Sequence, residues 1–270
     1  MIPKIIHYSW FSGEKMPESY VQIMDTWKCH LPDYEFKLWD RKALDEVNLL
    51  FANEAVAVGK WAFAADVIRV YAVYHYGGIW LDGDAAVYKS FDPFLHHRMF
   101  IGREHYVECM SDNNFINMQT LTSHCFGAEK GHPFLRDCLD YYKDRHFITS
   151  TVDTLPQGLR YDMRLLPSIH ARLAQKYGYR GSVLDADKES VLLEDIHVYP
   201  PCFFDSPKYD DIDNVYCVHY KMGTWHPVRD GREILPQGSV RRKRNLFFFL
   251  FTWINKLLAK KGLQIRVLSV

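Results

Sequence analysis

The chain has 270 residues, which is long enough for one large domain or two small ones with a sizeable core. Its formal net charge is zero, but the eight basic residues after Glu233 have no acidic counterparts, so an acidic body precedes a cationic tail. Six cysteines without a CxxC pair or zinc-finger spacing predict the reduced, partly buried thiols of a cytosolic protein.

Strand and helix patterns alternate along the first fifty residues. Residues 2–10 form an apolar run that ends in polar and aromatic side chains. Residues 34–39 alternate between polar and apolar side chains, which is typical of a strand. The predicted elements are a strand over 2–10, a helix over 17–29, a strand over 34–39 and a helix over 41–48.

The longest helical pattern before the tail covers residues 54–76 and leads into Gly77-Gly78. Because the pattern contains Gly59, it allows either one helix or two. The double glycine predicts a helix end at a residue with positive φ. The apolar residues Ile79-Trp80-Leu81 that follow predict a short buried strand.

Strand and helix patterns also alternate in the second half of the chain. Residues 103–123 are polar and irregular, and we expect them to form a substrate-facing loop. Together the patterns predict one mixed α/β domain with a helical insertion. The other predicted elements are strands over 85–88, 99–102, 124–128, 191–199 and 215–220, a helix over 133–143 and a largely helical stretch over 156–178.

Two carboxylates, Asp82 and Asp84, come directly after the predicted strand at Trp80, with Gly83 between them. On an extended chain, residues two apart point to the same side. Two such oxygen ligands suit a divalent ion that keeps open positions for phosphate oxygens. A surface turn is the alternative, since Asp and Gly are common in turns. The helix, double glycine and apolar strand before them favour the metal site.

Asp66 and Arg69 lie three residues apart on the helix that precedes this strand. One interpretation is a solvated ion pair of little energetic value. We favour the other, in which both side chains point at a ligand pocket beside Asp82. The helix and the strand are joined only by two glycines, so they are expected to pack closely.

A divalent ion at these carboxylates could neutralise the charge on a leaving nucleoside diphosphate. Mg²⁺ and Mn²⁺ both prefer oxygen ligands, and Mn²⁺ also tolerates imidazole. The absence of a GxxxxGK[ST] motif argues against a P-loop NTPase, and the absence of GxGxxG after a strand argues against a dinucleotide-dependent dehydrogenase. Neither GxSxG nor HExxH is present.

Four ordered segments carry a resemblance to a known family. They are Ile2-Pro3-Lys4-Ile5-Ile6-His7 followed by Trp10, Ala64-Ala65-Asp66-Val67-Ile68-Arg69, Tyr76-Gly77-Gly78-Ile79-Trp80-Leu81-Asp82-Gly83-Asp84, and Gly131-His132-Pro133-Phe134. As a set they resemble the retaining glycosyltransferases with a DXD sugar-binding motif, which include the yeast initiation-specific α-1,6-mannosyltransferase, animal α-1,4-galactosyltransferase and bacterial capsular polysaccharide enzymes. The resemblance implies an α/β fold of the GT-A type, with a mixed sheet flanked by helices.

The same resemblance implies roles for residues near the two carboxylates. Asp82 would hold the donor ribose or sugar together with the metal, and Asp84 would be the firmer metal ligand. Asp66 and Arg69 would contact the sugar and the phosphates of the donor. His219 is similar to the late metal ligand of the family, with a core histidine in a strand as its alternative.

Aromatic residues are implied in the donor site as well. Tyr8 and Trp10 would line the base pocket, although core packing is an alternative for Trp10, and Trp225 is similar to the indole that touches the diphosphate. The chain departs from the family where many relatives have an asparagine, since it has Ser123-His124 there. We offer His124 as the residue that contacts the sugar and acceptor. No nucleophile stands out from the sequence. The resemblance implies a front-face transfer, in which the enzyme supplies positioning and charge stabilisation.

The C-terminal residues 241–261 predict an amphipathic helix on a membrane surface. The unbroken apolar stretch is nine residues, Leu246–Ile254, whereas a spanning helix needs about 20. Basic residues near both ends suit anionic head groups. A helix docked on the protein's own core is the alternative, and nucleic acid would leave the apolar face unexplained. On a helical wheel one face carries Leu246, Leu250, Trp253, Ile254, Leu257 and Leu258.

The sequence patterns and the family resemblance together lead to one functional hypothesis. Residues 1–233 form a GT-A catalytic domain and residues 234–270 a membrane-association tail. The domain uses Mn²⁺ or Mg²⁺ to move a hexose, with galactose favoured, from a nucleotide sugar, with UDP favoured, to a lipid-linked or oligosaccharide acceptor in surface or capsular polysaccharide synthesis. No signal peptide is recognised, so we expect a peripheral protein on the cytoplasmic face of the plasma membrane.

Three alternatives stay open. A mannosyl- or N-acetylglucosaminyltransferase of the same fold would have the same motifs. A metal-dependent phosphodiesterase or phosphatase could use the same carboxylates and would hydrolyse the donor without an acceptor. A non-catalytic nucleotide-sugar sensor would bind metal and donor without turnover.

Overall fold

The computed structural model describes residues 1–112, 114–182, 186–205 and 214–222. These residues form nine strands and eight α-helices. The strands are β1 (Ile5–Ser9), β2 (Glu35–Trp39), β3 (Gly78–Leu81), β4 (Ala85–Val87), β5 (Met99–Asp112), β6 (Asn114–Ala128), β7 (Ser190–Leu192), β8 (Ile196–Tyr199) and β9 (Cys217–His219). The helices are α1 (Glu18–His30), α2 (Ala43–Val47), α3 (Leu50–Ala57), α4 (Trp61–Tyr76), α5 (Pro133–Tyr142), α6 (Gln157–Arg160), α7 (Leu166–Ala174) and α8 (Pro201–Phe204).

Seven of these strands form one mixed sheet in the order β2-β1-β3-β6-β5-β8-β7. β1 is parallel to both β2 and β3, while β6 is antiparallel to β3 and β5, and β8 is parallel to β5. Strands β1, β2, β3, β5 and β8 therefore all run in one direction. Their carboxyl ends meet at one edge of the sheet, and this edge carries Asp82. β4 and β9 form a separate antiparallel pair.

Helices and loops cover both faces of the sheet. Successive side chains of β3 point to opposite faces of the sheet. Trp80 packs in the cluster with α4, α5 and α7, whereas Ile79 and Leu81 pack with Trp27 of α1 and Phe204 of α8. All three β3 side chains are fully buried, as expected for a strand covered on both faces. The predicted α/β class, a mixed sheet flanked by helices, is confirmed.

The region around Gly59 is two helices, α3 and α4, as the glycine allowed. Gly59 has a φ of 69° and Gly77 a φ of 68°. Both are positive values that glycine adopts readily, and Gly59 separates α3 from α4 whereas Gly77 ends α4. Gly78 has a φ of 106°, and a Cβ there would lie 2.6 Å from the carbonyl oxygen of Ile5. The missing side chain thus lets β3 approach β1 directly after the turn.

The prediction of a loop over residues 103–123 is wrong. This stretch lies in the long antiparallel β5–β6 pair, with Arg103 opposite Leu121. The polar residues Gln119, Thr120 and Thr122 are buried in β6, which conceals the expected polar-apolar alternation. The predicted strand over 191–199 is also two antiparallel strands, β7 and β8, joined by a tight turn.

None of the helices in the described part of the chain is both long and apolar enough to cross a membrane. The predicted amphipathic tail, within residues 234–270, lies outside the described residues, as does Trp225.

Candidate active site

The two carboxylates lie in a tight turn at the end of β3. The backbone N–H of Asp82 donates to the carbonyl of His124 in β6 at 2.9 Å, and the carbonyl of Asp82 accepts from the N–H of Ala85 at 2.9 Å. The turn therefore redirects the chain from the main sheet into β4. β4 pairs with β9 such that Ala85 is opposite His219, so the turn also decides what lies beside Asp84.

Three side chains with metal-binding atoms converge at this turn. The ligand atoms of Asp82, Asp84 and His219 all lie within 4.8 Å of one another. His219 Nε2 is 3.3 Å from one carboxylate oxygen of Asp84, and the other oxygen accepts from the N–H of Met222 at 2.9 Å. Two carboxylates and an imidazole are a donor set that fits Mn²⁺.

Asp84 and His219 stabilise each other's charged form. Burial alone would raise the pKa of Asp84, but the hydrogen bond and charge of His219, the N–H of Met222 and the charge of His124 together outweigh burial and hold the pKa at about 2. Burial opposes the positive charge of His219, and Asp84 raises its pKa. The Asp84 carboxylate and the His219 imidazole therefore face each other, and a metal ion would bind the imidazole in its neutral form.

Arg69 on α4 links the helix to the turn. Its guanidinium lies 3.3 Å from Asp82 Oδ2 and 3.3 Å from Asp66 Oδ1, and it donates to the carbonyl of Ser123 at 2.7 Å. The indole N–H of Trp80 donates to the other oxygen of Asp82 at 2.7 Å. Each oxygen of Asp82 thus has a donor of its own, which fixes the carboxylate plane.

Asp66 lies deeper than Asp82 and is 8% exposed. Burial raises the pKa of Asp66 to about 7, Arg69 opposes this shift and Asp82 adds to it. The structure thus places Asp66 and Arg69 beside Asp82, which is the arrangement that the sequence favoured over a solvated ion pair.

His124 lies behind His219 rather than on the surface. The two imidazole rings stack with centroids 4.1 Å apart, and His124 is 1% exposed. His124 Nε2 donates to the carbonyl of Phe204 at 2.8 Å, whereas its Nδ1 has no hydrogen-bond partner. Burial, with His219 next, lowers the pKa of His124 to about 3. The residue offered as an acceptor contact therefore packs against the candidate metal-ligand histidine, His219, from the core side.

Two acidic residues that the sequence did not single out flank this histidine pair. Glu104 of β5 accepts from the hydroxyl of Thr120 at 2.8 Å, and burial, followed by Asp205, raises its pKa to about 7. Asp205 follows α8 and lies 2.8 Å from the ammonium group of Lys221. Glu104 stood in the predicted loop, and Asp205 had no motif around it. Only the non-local pairing of β5 with β6 would have indicated that Glu104 and Asp205 lie near the site, and a local sequence pattern does not contain this information.

Tyr8 and Trp10 lie at the carboxyl end of β1, on the same edge of the sheet as the turn. Trp10 packs edge-on against Tyr20 with centroids 5.4 Å apart, and Tyr20 packs so closely over Gly83 that a Cβ there would be 3.1 Å from its ring. Tyr20 is a further residue that sequence reasoning missed. Tyr8 opens onto a mostly apolar cavity of about 320 Å³ whose other lining residues are Met16, Val21, Met24, Trp27, Lys28 and Phe36.

The chain is similar to known glycosyltransferases. Residues 17–101 match the family described as "Glycosyltransferase sugar-binding region containing DXD motif". Inositol phosphoceramide mannosyltransferase 3 of Schizosaccharomyces pombe is 31% identical over 138 residues, which are 50% of this chain and 35% of that protein. Inositol phosphoceramide mannosyltransferase 1 of the same yeast is 31% identical over 111 residues, 37% of this chain and 33% of that protein.

The match with these two curated relatives covers about a third of their length. Among solved structures, one described as "PaToxG Glycosyltransferase" is 16% identical with a TM-score of 0.42, over 69% of this chain and 72% of that chain. The resemblance predicted from the sequence is confirmed, since residues 17–101 match the sugar-binding region described for glycosyltransferases with a DXD motif.

Proposed function

We propose that the chain is a metal-dependent glycosyltransferase that moves a hexose from a nucleotide sugar to an acceptor hydroxyl. The observation that carries the proposal is the convergence of Asp82, Asp84 and His219 at the carboxyl edge of the sheet. The two aspartates lie within the matched sugar-binding region, residues 17–101. Open α/β sheets bind their ligands at this edge. Arg69 beside Asp82 supplies a fixed positive charge for the donor.

The donor set favours Mn²⁺ over Mg²⁺, because one of the three residues is an imidazole. Asp82, Asp84 and His219 would hold the ion, which when bound stabilises negative charge on the diphosphate of the donor. His124, stacked on His219 and hydrogen-bonded to Phe204, keeps the imidazole plane fixed.

The other residues of the site orient the donor. Arg69 and Trp80 each donate to one oxygen of Asp82, so that this carboxylate has one orientation when the donor sugar arrives. Trp10 and Tyr20 form an aromatic wall that reaches the turn at Gly83 and suits a base or ribose. The described residues near the turn offer positioning and charge stabilisation, which agrees with a retaining front-face transfer.

The transferred sugar is the part of the proposal that the comparisons change most. From the sequence we favoured galactose and a UDP-linked donor, with mannose as an alternative. The curated relatives are named as inositol phosphoceramide mannosyltransferases, and this supports mannose. Their names also support a lipid-borne acceptor, in line with the lipid-linked acceptor expected from the sequence. A role in surface or capsular polysaccharide synthesis remains part of the proposal.

The proposed setting is the cytoplasmic face of a membrane, with residues 241–261 as the contact. The support comes from the sequence alone: basic residues near both ends of the segment and an apolar helical face between them.

A transfer assay tests the proposal. The full chain is incubated with GDP-mannose, UDP-galactose or UDP-N-acetylglucosamine, with Mn²⁺ or Mg²⁺, and with a lipid-linked acceptor. We expect acceptor-dependent release of the nucleoside diphosphate with one donor, greater with Mn²⁺, and loss of release by at least about 100-fold in Asp84→Asn. The matched control is Asp153→Asn, at an exposed carboxylate paired with Arg160.

Two results would contradict the proposal. Hydrolysis of the donor at the same rate with and without acceptor indicates a phosphodiesterase. Binding of metal and donor, measured as a rise in melting temperature, without turnover on any acceptor indicates a sensor.

A further inference from the structure

A second cluster of metal-binding side chains lies at the opposite edge of the sheet from Asp82. His97 comes two residues before β5, Asp195 comes directly before β8, and His197 is the second residue of β8. The ligand atoms of these three residues lie within 4.8 Å of one another. Since β5 and β8 run parallel to β3, the cluster stands at the amino ends of the strands whose carboxyl edge carries the candidate active site.

The imidazole of His197 is held by carboxylates on both of its nitrogens. Nδ1 lies 2.6 Å from an oxygen of Glu189, and Nε2 lies 3.0 Å from an oxygen of Asp195. A carboxylate on one ring nitrogen is the usual partner of a histidine that binds metal with the other nitrogen. With the Nδ1 proton donated to Glu189, the lone pair of Nε2 faces Asp195.

Hydrogen bonds orient His97 in the same way. Its Nε2 lies 2.8 Å from the hydroxyl of Tyr199, and the hydroxyl of Tyr199 in turn hydrogen-bonds Glu189. If Tyr199 donates to Glu189, its oxygen accepts the Nε2 proton of His97, and the lone pair of His97 is on Nδ1. His97 is 6% exposed and stacks on His197 with centroids 3.5 Å apart.

The carboxylate of Asp195 is aimed by the turn between β7 and β8. Glu194 and Asp195 have φ values of 59° and 56°, in the left-handed region that non-glycine residues rarely adopt. Arg98 holds this turn: its guanidinium pairs with Glu194 at 2.7 Å, and its backbone N–H donates to Asp195 Oδ2 at 2.9 Å. The other oxygen, Oδ1, is the one that faces His197.

Ligand atoms of two imidazoles and one carboxylate thus lie together, and a second carboxylate, Glu189, contacts the other nitrogen of His197. We propose that His97, Asp195 and His197 bind a second divalent cation of the Zn²⁺ class, which joins the start of β5 to the turn before β8. Two nitrogen ligands and one oxygen ligand are typical of zinc. The fourth coordination position of the ion would be open to water or to His96, whose ring centroid lies 3.9 Å from that of His97.

The proposal does not depend on the glycosyltransferase activity, and its test uses the full chain with Asp84→Asn to weaken the other site. The chelator-treated protein is titrated with Zn²⁺ by calorimetry and with Co²⁺ by visible absorption, because tetrahedral Co²⁺ absorbs strongly. We expect one Zn²⁺ per chain and a Co²⁺ band, and a loss of affinity of at least tenfold on adding Asp195→Asn or His197→Gln. A rise in melting temperature with Zn²⁺ should disappear in the same variants.

Asp195→Asn is the safer of the two variants, because its side chain is 42% exposed and the amide has the same shape. His146→Gln is the matched histidine control, since His146 is 63% exposed and pairs with Glu54. Zinc affinity that is unchanged in Asp195→Asn, or equally reduced in His146→Gln, would overturn the site. So would the absence of zinc binding by the parent chain, which would mean that a proton on His197 bridges Glu189 and Asp195.

Discussion

Asp84 and His219, 135 positions apart in the sequence, face each other because β4 and β9 pair beside the main sheet. The pairing places Ala85 opposite His219, and the N–H of Tyr220 donates to the carbonyl of Asp84 at 2.9 Å. The candidate metal ligands thus come from one tight turn and from the strand that is paired with its continuation. The imidazole is held by the fold rather than by a neighbouring residue in the sequence.

Replacing His219 by glutamine should change the metal preference of the reaction. The variant keeps a polar side chain of similar length but loses the imidazole nitrogen, and Mn²⁺ gains more than Mg²⁺ from a nitrogen ligand. We expect donor turnover to fall by about 100-fold and the ratio of the rate with Mn²⁺ to the rate with Mg²⁺ to fall as well. Initial rates at saturating metal measure both. An unchanged ratio would show that His219 does not bind the ion.

Arg69→Met should destabilise the protein as well as impair donor binding. The guanidinium is 6% exposed and contacts Asp66, Asp82 and the carbonyl of Ser123. Removing one partner of a buried ion pair leaves the other charge uncompensated, which costs about 3–5 kcal/mol. Urea unfolding measures this loss. Arg172→Met, at an arginine on α7, serves as the comparison, and an equal loss in both variants would contradict a special role for Arg69.

Asp66→Asn should alter how stability depends on pH. Burial raises the pKa of Asp66 from 3.8 to about 7, so between about pH 4 and 7 the folded protein binds a proton that the unfolded chain has released. The free energy of unfolding that is due to Asp66 is therefore greatest below about pH 4 and falls as the pH rises to about 7. At about 1.4 kcal/mol for each pKa unit, the total change is about 4 kcal/mol.

The measurement is the difference in unfolding free energy between the parent and Asp66→Asn at several pH values from 4 to 8. We expect the variant to gain relative to the parent as the pH rises, because asparagine cannot ionise. A difference that stays constant over this range, or one that changes in the opposite direction, would contradict the raised pKa.

Gly78→Ala should be much more destabilising than Gly13→Ala. Both glycines have positive φ, 106° and 74°, so each substitution carries a backbone cost of about 1 kcal/mol. A Cβ at Gly78 would also lie 2.6 Å from the carbonyl oxygen of Ile5, whereas at Gly13 it would meet nothing within 4 Å. We expect Gly78→Ala to lose at least about 2 kcal/mol more, since β3 must move away from β1. Equal melting temperatures would mean that the strands adjust freely.

Sequence patterns predicted those features of the fold that depend on a few neighbouring residues. The positive φ at Gly77, the buried strand at Trp80 and the turn with two carboxylates are all encoded within a few residues. The contact of Arg69 with Asp82 could also be predicted from the sequence. Only two glycines join the helix of Arg69 to the strand before Asp82, so the two elements must pack closely. The α/β class followed from the alternation of elements.

Non-local pairing hid the rest of the site. The strand character of residues 103–123 depends on pairing within the β5–β6 hairpin. There the buried hydroxyl of Thr120 donates to Glu104, and the buried hydroxyl of Thr122 accepts from the N–H of Gly102. Neither partner is a neighbour in the sequence. Glu104 and Asp205 come together only through that hairpin and α8. The place of His219 beside Asp84 was implied by the family resemblance and not by any sequence spacing, because β4 and β9 are far apart in the sequence.

The C-terminal segment gives a prediction that rests on the sequence. Truncation after Gly238 removes all eight basic residues that follow Glu233 together with the apolar face from Leu246 to Leu258. We expect the truncated protein to lose binding to vesicles that contain anionic lipid, because each basic residue near such a surface contributes about 1 kcal/mol. Co-sedimentation with anionic and with neutral vesicles measures this loss, and circular dichroism verifies that the truncated protein is folded. Unchanged vesicle binding after truncation would show that the membrane contact lies elsewhere on the protein. Loss of folding would favour the alternative, in which the segment is a helix docked on the protein's own core.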